Sequence, residues 1–387
     1  MKICLETSTF RSRFAGIAYY TLFLSRSLLE HEADIALSGF DGRRFRPITS
    51  AMLDGAMSAD RVSERKSAQI YHFVRQSPAL RASFRAFKRV QYSRGIRRFD
   101  LFHALNAMPP VFTDKPILPL VHDISHALLP ETHPKERVDW LRRNMRDLDR
   151  YPLINTVSHA SAAEIAEHYA YPIERLRVTH PGVNPAFRAA ARPEAIARVA
   201  DLDLVPGRFF LMVSTIEPRK NHATLIEAYA ALPSDFRRAY PLVLVGQQGW
   251  GRLTSPALEM LRREGSVRFL GYCDVDILRA LYASATAFVF PTLHEGFGMP
   301  VVEAMAVGSP LILSDIPVMH EVGGDVATYL PNRDAESWAR ALQETAGLGE
   351  ESRAEMATRA RLWSQRYNWA DNARATSAVY REILGRR

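Results

Sequence analysis

Short, continuously apolar runs alternate with longer stretches of helical periodicity along the whole chain. Lys2–Glu6, Ile35–Ser38, Leu101–His103, Ile117–His122 and Leu153–Ser158 form a first series of such runs. Phe209–Ser214, Leu242–Val245, Val267–Leu270, Ala287–Phe290 and Pro310–Ser314 form a second. They are apolar throughout rather than alternating, as expected of strands covered on both faces of a parallel sheet. Between them, Ile17–Leu29, Lys135–Arg150, Ala160–His168, Thr224–Ala231, Val275–Ser284 and Val301–Ala306 read as helices. Strand–helix alternation of this kind predicts βαβ units wound into α/β doubly wound sheets. The turn-forming stretch His180-Pro-Gly-Val-Asn-Pro places a boundary near Pro181–Pro193, so two Rossmann-like halves are expected, 1–185 and 186–367. The chain ends in helical patterns. The last, Trp369–Leu384, gathers Trp369, Ala373, Thr376, Val379, Tyr380 and Ile383 on one face.

Composition agrees with two domains: 387 residues, 47% of them hydrophobic, can bury two full cores. Charge changes the picture more. The net charge is +8, which suggests an anionic partner. Between Arg61 and Arg98, however, eleven basic residues face one acid, a local +10 that leaves −2 for the rest. The protein is thus nearly neutral with one basic stretch. Within it, Leu80, Phe84 and Phe87 share a helical face, and Arg81, Arg85, Lys88 and Arg89 lie on another. Each cation near an anionic leaflet contributes about 1 kcal/mol, so Arg75–Arg98 could dock on an anionic membrane; a solvated helix with an apolar underside fits the pattern equally. No nucleic-acid module surrounds it, so no nucleic-acid partner is expected. Two cysteines, Cys4 and Cys273, exclude a disulfide scaffold and fit a reducing compartment. Neither a signal-peptide pattern nor an apolar run of membrane-spanning length is present, so a cytoplasmic location is expected, with room for peripheral contact on the inner face of the cytoplasmic membrane.

Four segments could carry chemistry. His294-Glu295-Gly-Phe-Gly-Met-Pro-Val-Val-Glu303 follows a predicted strand and precedes a helix. Its glycines allow close backbone approach, and the helix N-terminus favours an anion such as a diphosphate. Glu295 and Glu303 are natural acceptors for sugar hydroxyls; a tight βα turn with a capping glutamate is the bland alternative. Thr215-Ile-Glu-Pro-Arg219-Lys220-Asn221 places two cations at the carboxyl end of a parallel strand, where doubly wound sheets bind ligands. The turn from Thr7 to Gly16, with Arg11 and Arg13, resembles a phosphate-binding βα loop without its full glycine pattern. His122-Asp123 ends a strand, with His126 and His133 nearby; taken alone, a loop-satisfied histidine and a functional one fit equally. No zinc-type ligand spacing accompanies them, so no metal is expected.

Together these residues resemble the retaining, nucleotide-sugar-dependent glycosyltransferases of group 1 (family four), which have the GT-B fold. The resemblance rests on Glu295-x(7)-Glu303, His122-Asp123, Val157-Ser158, Pro181-Gly182-Val183, Glu217-Pro-Arg-Lys-Asn221, Phe269-Leu-Gly-Tyr272, Pro291 and Ser314-Asp-Ile-Pro317, and covers nearly the whole chain. The combination is similar to bacterial mannosyl- and rhamnosyltransferases of surface polysaccharide synthesis. It implies an acceptor-side N-terminal half, a donor-side C-terminal half and a final helix, 368–387, packing back onto the first. By that resemblance Glu295 would contact the donor sugar, and the N–H groups of Phe297, Gly298 and Met299 its hydroxyls or phosphate. Glu303 would hold the ribose, and Arg219 with Lys220 the diphosphate. His122 would face the sugar, Gly16 would let the first loop approach, and Leu270, Gly271 and Tyr272 would border the base. Many relatives have Gly-Arg where this chain has Ser214-Thr215, so Arg219 is expected to take over that arginine's work.

The expected reaction moves a hexose, with mannose favoured, from a nucleotide diphosphate sugar to a glycan or a polyprenyl-diphosphate-linked acceptor. GDP-mannose is favoured over a UDP-sugar, and the resemblance implies neither cofactor nor metal. Fixed cations and the helix dipole would stabilise the departing diphosphate. Competing readings are a nucleotide-sugar epimerase or a phosphorylase on the same fold, and a non-catalytic membrane- or polyanion-binding protein using the basic stretch.

Overall fold

The apolar runs become two sheets. The computed structural model describes residues 1–11, 16–58, 93–106, 113–191 and 193–385. In the first half, β1 (Lys2–Glu6), β2 (Ala36–Phe40), β3 (Phe45–Pro47), β4 (Leu101–Ala104), β5 (Ile117–Val121), β6 (Ile154–Thr156) and β7 (Leu176–Val178) form a 7-stranded sheet ordered β3-β2-β1-β4-β5-β6-β7. Every pairing is parallel except that of β2 with β3. In the second half, β8 (Phe210–Val213), β9 (Leu242–Val245), β10 (Val267–Gly271), β11 (Ala287–Phe290), β12 (Leu311–Ser314) and β13 (Ala327–Leu330) form a 6-stranded sheet ordered β10-β9-β8-β11-β12-β13, parallel throughout. Two parallel Rossmann-like sheets, each with helices between its strands, are the expected GT-B architecture.

The central strands explain why the sequence reads so plainly. Phe210, Leu211 and Met212 on β8, and Phe288, Val289 and Phe290 on β11, are fully buried. Each such side chain contributes about 1.5–3 kcal/mol of burial. The strands that the apolar runs do not predict are β3, β7 and β13, and all three lie at sheet edges with half-exposed or exposed positions. An edge strand needs no apolar face on both sides, and Pro47 is tolerated on β3 because its missing N–H faces no neighbour. The helix expected over Lys135–Arg150 stops at Asn144; the chain then turns so that Met145 and Leu148 both enter the core.

The last helix, Trp369–Ile383, begins with Asn368 accepting from the Asp371 N–H at 2.8 Å. It packs across the first helix, Gly16–His31. Trp369 stacks on Phe23 with centroids 5.6 Å apart, the Tyr380 hydroxyl meets His103 Nδ1 at 2.7 Å, and Arg381 pairs with Glu32 at 2.9 Å. The C-terminal segment therefore ties the two halves together. No helix among the described residues is long and apolar enough to cross a membrane. The basic amphipathic pattern at Leu80–Arg89 and Arg13 lie outside the described residues.

Candidate active site

Sheet order explains how distant motifs meet. β8 and β11 are neighbours at the point where the strand order reverses, so the segments after their carboxyl ends, Ser214–Asn221 and Pro291–Gly298, lie side by side. Backbone hydrogen bonds lock them: the Leu293 N–H donates to the Arg219 carbonyl at 2.9 Å. Asn221, in the left-handed conformation at φ 58°, donates to the Pro291 carbonyl at 2.9 Å. Gly298 takes the same region at φ 97°, which a glycine adopts without cost, and opens the helix Met299–Val307 with Pro300 in its first turn.

The result is a buried charge cluster. Lys220 and Glu295, 75 residues apart, form an ion pair. Arg219 Nη1 lies 3.2 Å from the second Glu295 oxygen and donates to the His294 carbonyl at 2.7 Å, while Nη2 donates to Glu217 at 2.8 Å. Burial alone would raise the Glu295 pKa; Lys220 and Arg219 instead hold it below the usual carboxylate range. Burial disfavours a charged Arg219, but Glu295, Asp123 and Glu217 more than compensate and keep the guanidinium firmly charged. Two fixed cations thus stand at the switch point, with one carboxylate engaging both.

The first half supplies the opposite wall. His122, at the end of β5, donates from Nε2 to the Leu105 carbonyl at 2.9 Å, which fixes its tautomer. Burial lowers its pKa and favours the neutral ring. Asp123 accepts from the Ser125 N–H at 2.9 Å and hydroxyl at 2.6 Å. Burial would raise its pKa, but Arg219 and His294 across the cleft, with those two hydrogen bonds, hold it well below the ordinary value. Gly296 presses on this wall: a Cβ there would collide with the His122 carbonyl oxygen. The Gly296 carbonyl accepts from Ser158 at 2.6 Å and Ser161 at 3.1 Å.

The other candidates are placed as follows. Glu303 lies on the helix after the loop, and Tyr282 donates to it at 3.2 Å. Phe297 is a core side chain, edge-on to Tyr367, so only its backbone faces outward chemistry. Met299 is half-buried in the first turn. Leu270 and Gly271 end β10, and Tyr272 beyond them is 62% exposed. Tyr19, on the first helix, lies within hydrogen-bonding reach of Tyr272 and close to Glu303. Gly16 is exposed at the start of that helix, with open space where a Cβ would sit.

Several contacts across the cleft have no signal in the sequence. His294 Nε2 donates to Glu164 at 2.9 Å, and the Trp250 indole donates to the Thr132 carbonyl at 2.7 Å. Glu321 accepts from the His159 and Ala160 N–H groups at 2.7 and 2.8 Å and pairs with His180 at 2.7 Å, capping a helix of the other half. Their partners are more than 100 residues away, so no local pattern betrays them.

Glu303 yields a pH prediction. Burial pushes its pKa up to about 8, against an ordinary 4.5. The folded state then binds a proton that the unfolded state has lost, so this group's contribution to stability falls as pH rises from about 4.5 to about 8 and levels outside that window. Glu303→Gln removes this slope. Its melting temperature relative to the wild type is expected to climb across that window and then plateau; a difference independent of pH would refute the assignment.

Comparison with known proteins bears on the family and the fold. A family model described as glycosyl transferases group 1 matches residues 203–363, and one described as glycosyltransferase family 4 matches residues 14–187. The O-antigen chain mannosyltransferase B of Escherichia coli is 29% identical, over 98% of this chain and 100% of that one. The serotype-specific mannosyltransferase WbdA of Escherichia coli is 31% identical over 67% of this chain, which spans 33% of that longer protein. Among solved structures, Anabaena Alr3699/HepE in complex with UDP and glucose superposes with a TM-score of 0.69 at 17% identity, covering 98% of this chain and 99% of that one. WaaG, a glycosyltransferase involved in lipopolysaccharide biosynthesis, superposes at 0.64 and 15% identity over 100% of both chains.

Proposed function

We infer the function from one premise: the chain belongs to the group 1 glycosyltransferases of family four, with the GT-B fold. It is a glycosyltransferase resembling mannosyltransferases. The reaction we propose is retaining transfer of a hexose, with mannose favoured, from a nucleotide diphosphate sugar to a glycan or polyprenyl-diphosphate-linked acceptor in O-antigen synthesis. GDP-mannose is the donor favoured over UDP-sugars. The relatives' names support the sugar and the pathway.

The observation that carries the chemistry is the buried Arg219–Lys220–Glu295 cluster at the switch point of the second sheet, facing His122. Incoming diphosphate oxygens compete with Glu295 for both cations, and the released carboxylate then accepts from the donor's hydroxyls. As the glycosidic bond breaks, charge builds on the diphosphate, and Arg219, Lys220 and the N-terminus of the Met299–Val307 helix stabilise it. Backbone N–H groups of Phe297, Gly298 and Met299 add further donors. Glu303 serves the ribose hydroxyls, Leu270, Gly271 and Tyr272 the base, and Gly16 the approach of the first loop. His122, neutral and fixed by Leu105, borders the reacting carbon. This chemistry uses the chain's own cations in place of a divalent metal. The basic stretch Arg75–Arg98 supports a peripheral location on the inner face of the cytoplasmic membrane.

The test is a thermal-shift panel of GDP, UDP and their sugars, followed by product analysis. A nucleotide at a hundredfold excess over its Kd stabilises by roughly 2.7 kcal/mol. GDP-mannose is expected to give the largest shift, unchanged by a chelator, and the product should keep the donor's anomeric configuration. Stabilisation by none of these nucleotides overturns the transferase reading.

A further inference from the structure

One side chain outside the donor cluster reaches across the cleft with three contacts at once. Trp250 belongs to the loop that follows β9, in the second half. Its indole N–H donates to the Thr132 carbonyl at 2.7 Å, 118 positions away. The exposed Arg137 guanidinium lies over its ring at 4.9 Å, and the His133 ring is tilted beside it with centroids 5.5 Å apart. All three partners belong to the first half, where the turn Pro130–Thr132 leads into the helix Lys135–Asn144.

Both ends of this contact are tied to the reacting centre. On the donor side, the Ile216 N–H donates to the Gln247 carbonyl at 2.9 Å and the Gly249 N–H to the Ile216 carbonyl at 3.0 Å, so the loop is laced to the segment that leads into Arg219 and Lys220. Its glycines fit against the same segment. A Cβ on Gly249 would lie 2.7 Å from Thr215 Cγ2, and one on Gly251, at φ 81°, would lie 2.9 Å from Pro218. Trp250 is therefore carried on a stiff extension of the cation-bearing segment. On the acceptor side, His133 Nε2 lies 3.0 Å from the Ser125 hydroxyl, which donates to Asp123 at 2.6 Å, beside His122. The flank matters as well. β9 borders β8 on the side away from β11 and β12, and the segments after those two strands supply the Gly296 and Glu321 contacts with the first half. Trp250 holds the cleft from the opposite flank, so it resists splaying of the halves about those contacts.

Resting on the transferase reading above, we propose that Trp250 is a positioning residue: it clasps the donor half to the wall that carries His122 and fixes the distance from Arg219 and Lys220 to that wall. It acts through this spacing rather than on the substrates. A clasped cleft also excludes water, so the hexose passes to the acceptor oxygen. With the clasp lost, water competes: the bond from sugar to phosphate breaks, a water oxygen bonds to the sugar carbon, and the water's proton is released, leaving free hexose and nucleoside diphosphate.

The test uses the full chain, saturated with GDP or UDP, whichever stabilises it in the thermal-shift panel. Small-angle scattering should give Trp250→Ala a larger radius of gyration than the wild type, while Trp250→Phe, which keeps a ring under Arg137, stays at the wild-type value. With the matching nucleotide sugar and octyl hexosides as acceptors, Trp250→Ala should lower the kcat of transfer roughly tenfold or more and raise hydrolysis per transfer, while the nucleotide Kd stays within about twofold. Trp250→Phe, short of one hydrogen bond, should lose about threefold. Arg137→Ala, at an exposed position on the other half, should raise hydrolysis per transfer by about two- to fivefold. Equal radii for Trp250→Ala and the wild type, or transfer and hydrolysis falling in step, overturns the proposal. Loss of the nucleotide shift in Trp250→Ala while Arg137→Ala behaves as the wild type also overturns it, since Trp250 would then serve the donor or the fold. Absence of any nucleotide-induced thermal shift in the wild type would instead strike the transferase reading itself.

Discussion

Lys220→Ala is expected to lower kcat by about 100- to 1,000-fold, the loss seen when one preorganised group facing developing charge is removed. Lys220 is buried against Glu295 at the carboxyl end of β8, with its ammonium over the Phe290 ring at 5.4 Å. In so buried a place a positive charge acts more strongly than in water; burial and the neighbouring Arg219 lower the Lys220 pKa, and Glu295 and Glu217 oppose them in favour of the ammonium. Arg219 still pairs with Glu295 at 3.2 Å and Glu217 at 2.8 Å, so the carboxylate keeps a partner and the fold should survive. The measurement is steady-state transfer beside a melting curve. A kcat within threefold of the wild type would remove Lys220 from the leaving-group role; a collapse of the melt would show that it holds the fold instead.

Gly296→Ala should be almost as damaging, for a different reason. Gly296 sits where the donor-side loop touches the acceptor-side wall, and a methyl group there collides with the His122 backbone carbonyl. Backbone cannot step aside as a flexible side chain would. The two halves must separate, which also pulls the Gly296 carbonyl from Ser158 and Ser161. A displacement of about 1 Å between reacting groups costs on the order of 100-fold in rate. The donor cluster lies wholly within the second half, so nucleotide binding should persist. Transfer should therefore fall about 100-fold while the nucleotide thermal shift remains. Full activity would mean that the close approach of the halves has no part in turnover.

The two variants separate what is local from what is assembled, and the sequence divides in the same way. Continuous apolar runs made β1, β4, β5, β8, β9, β11 and β12 legible, because a strand covered on both faces must be apolar at every position. β3, β7 and β13 escaped because an edge strand is under no such demand, although the edge strand β10 still carries enough apolar residues to be read. The loop glycines, Pro300 and the two glutamates were legible because backbone geometry and local chemistry require them in a fixed order. The raised pKa of Glu303 was not, since it comes from burial beside Tyr282.

By itself, then, the sequence determined the α/β class, the division into two Rossmann-like sheets, and the residue types near each strand end. These follow from periodicities and turn chemistry that act over a few residues. Only the tertiary structure decided which strand ends adjoin. It brought Lys220 to Glu295, Arg219 toward Asp123 and Gly296 against His122, through a strand order that reverses beside β8 and a last helix that clasps the first. Those contacts join residues 75 or more positions apart, and burial there fixes their charge states. Such pairings carry no mark in either partner's local sequence, because they depend on where the whole chain has gone in between.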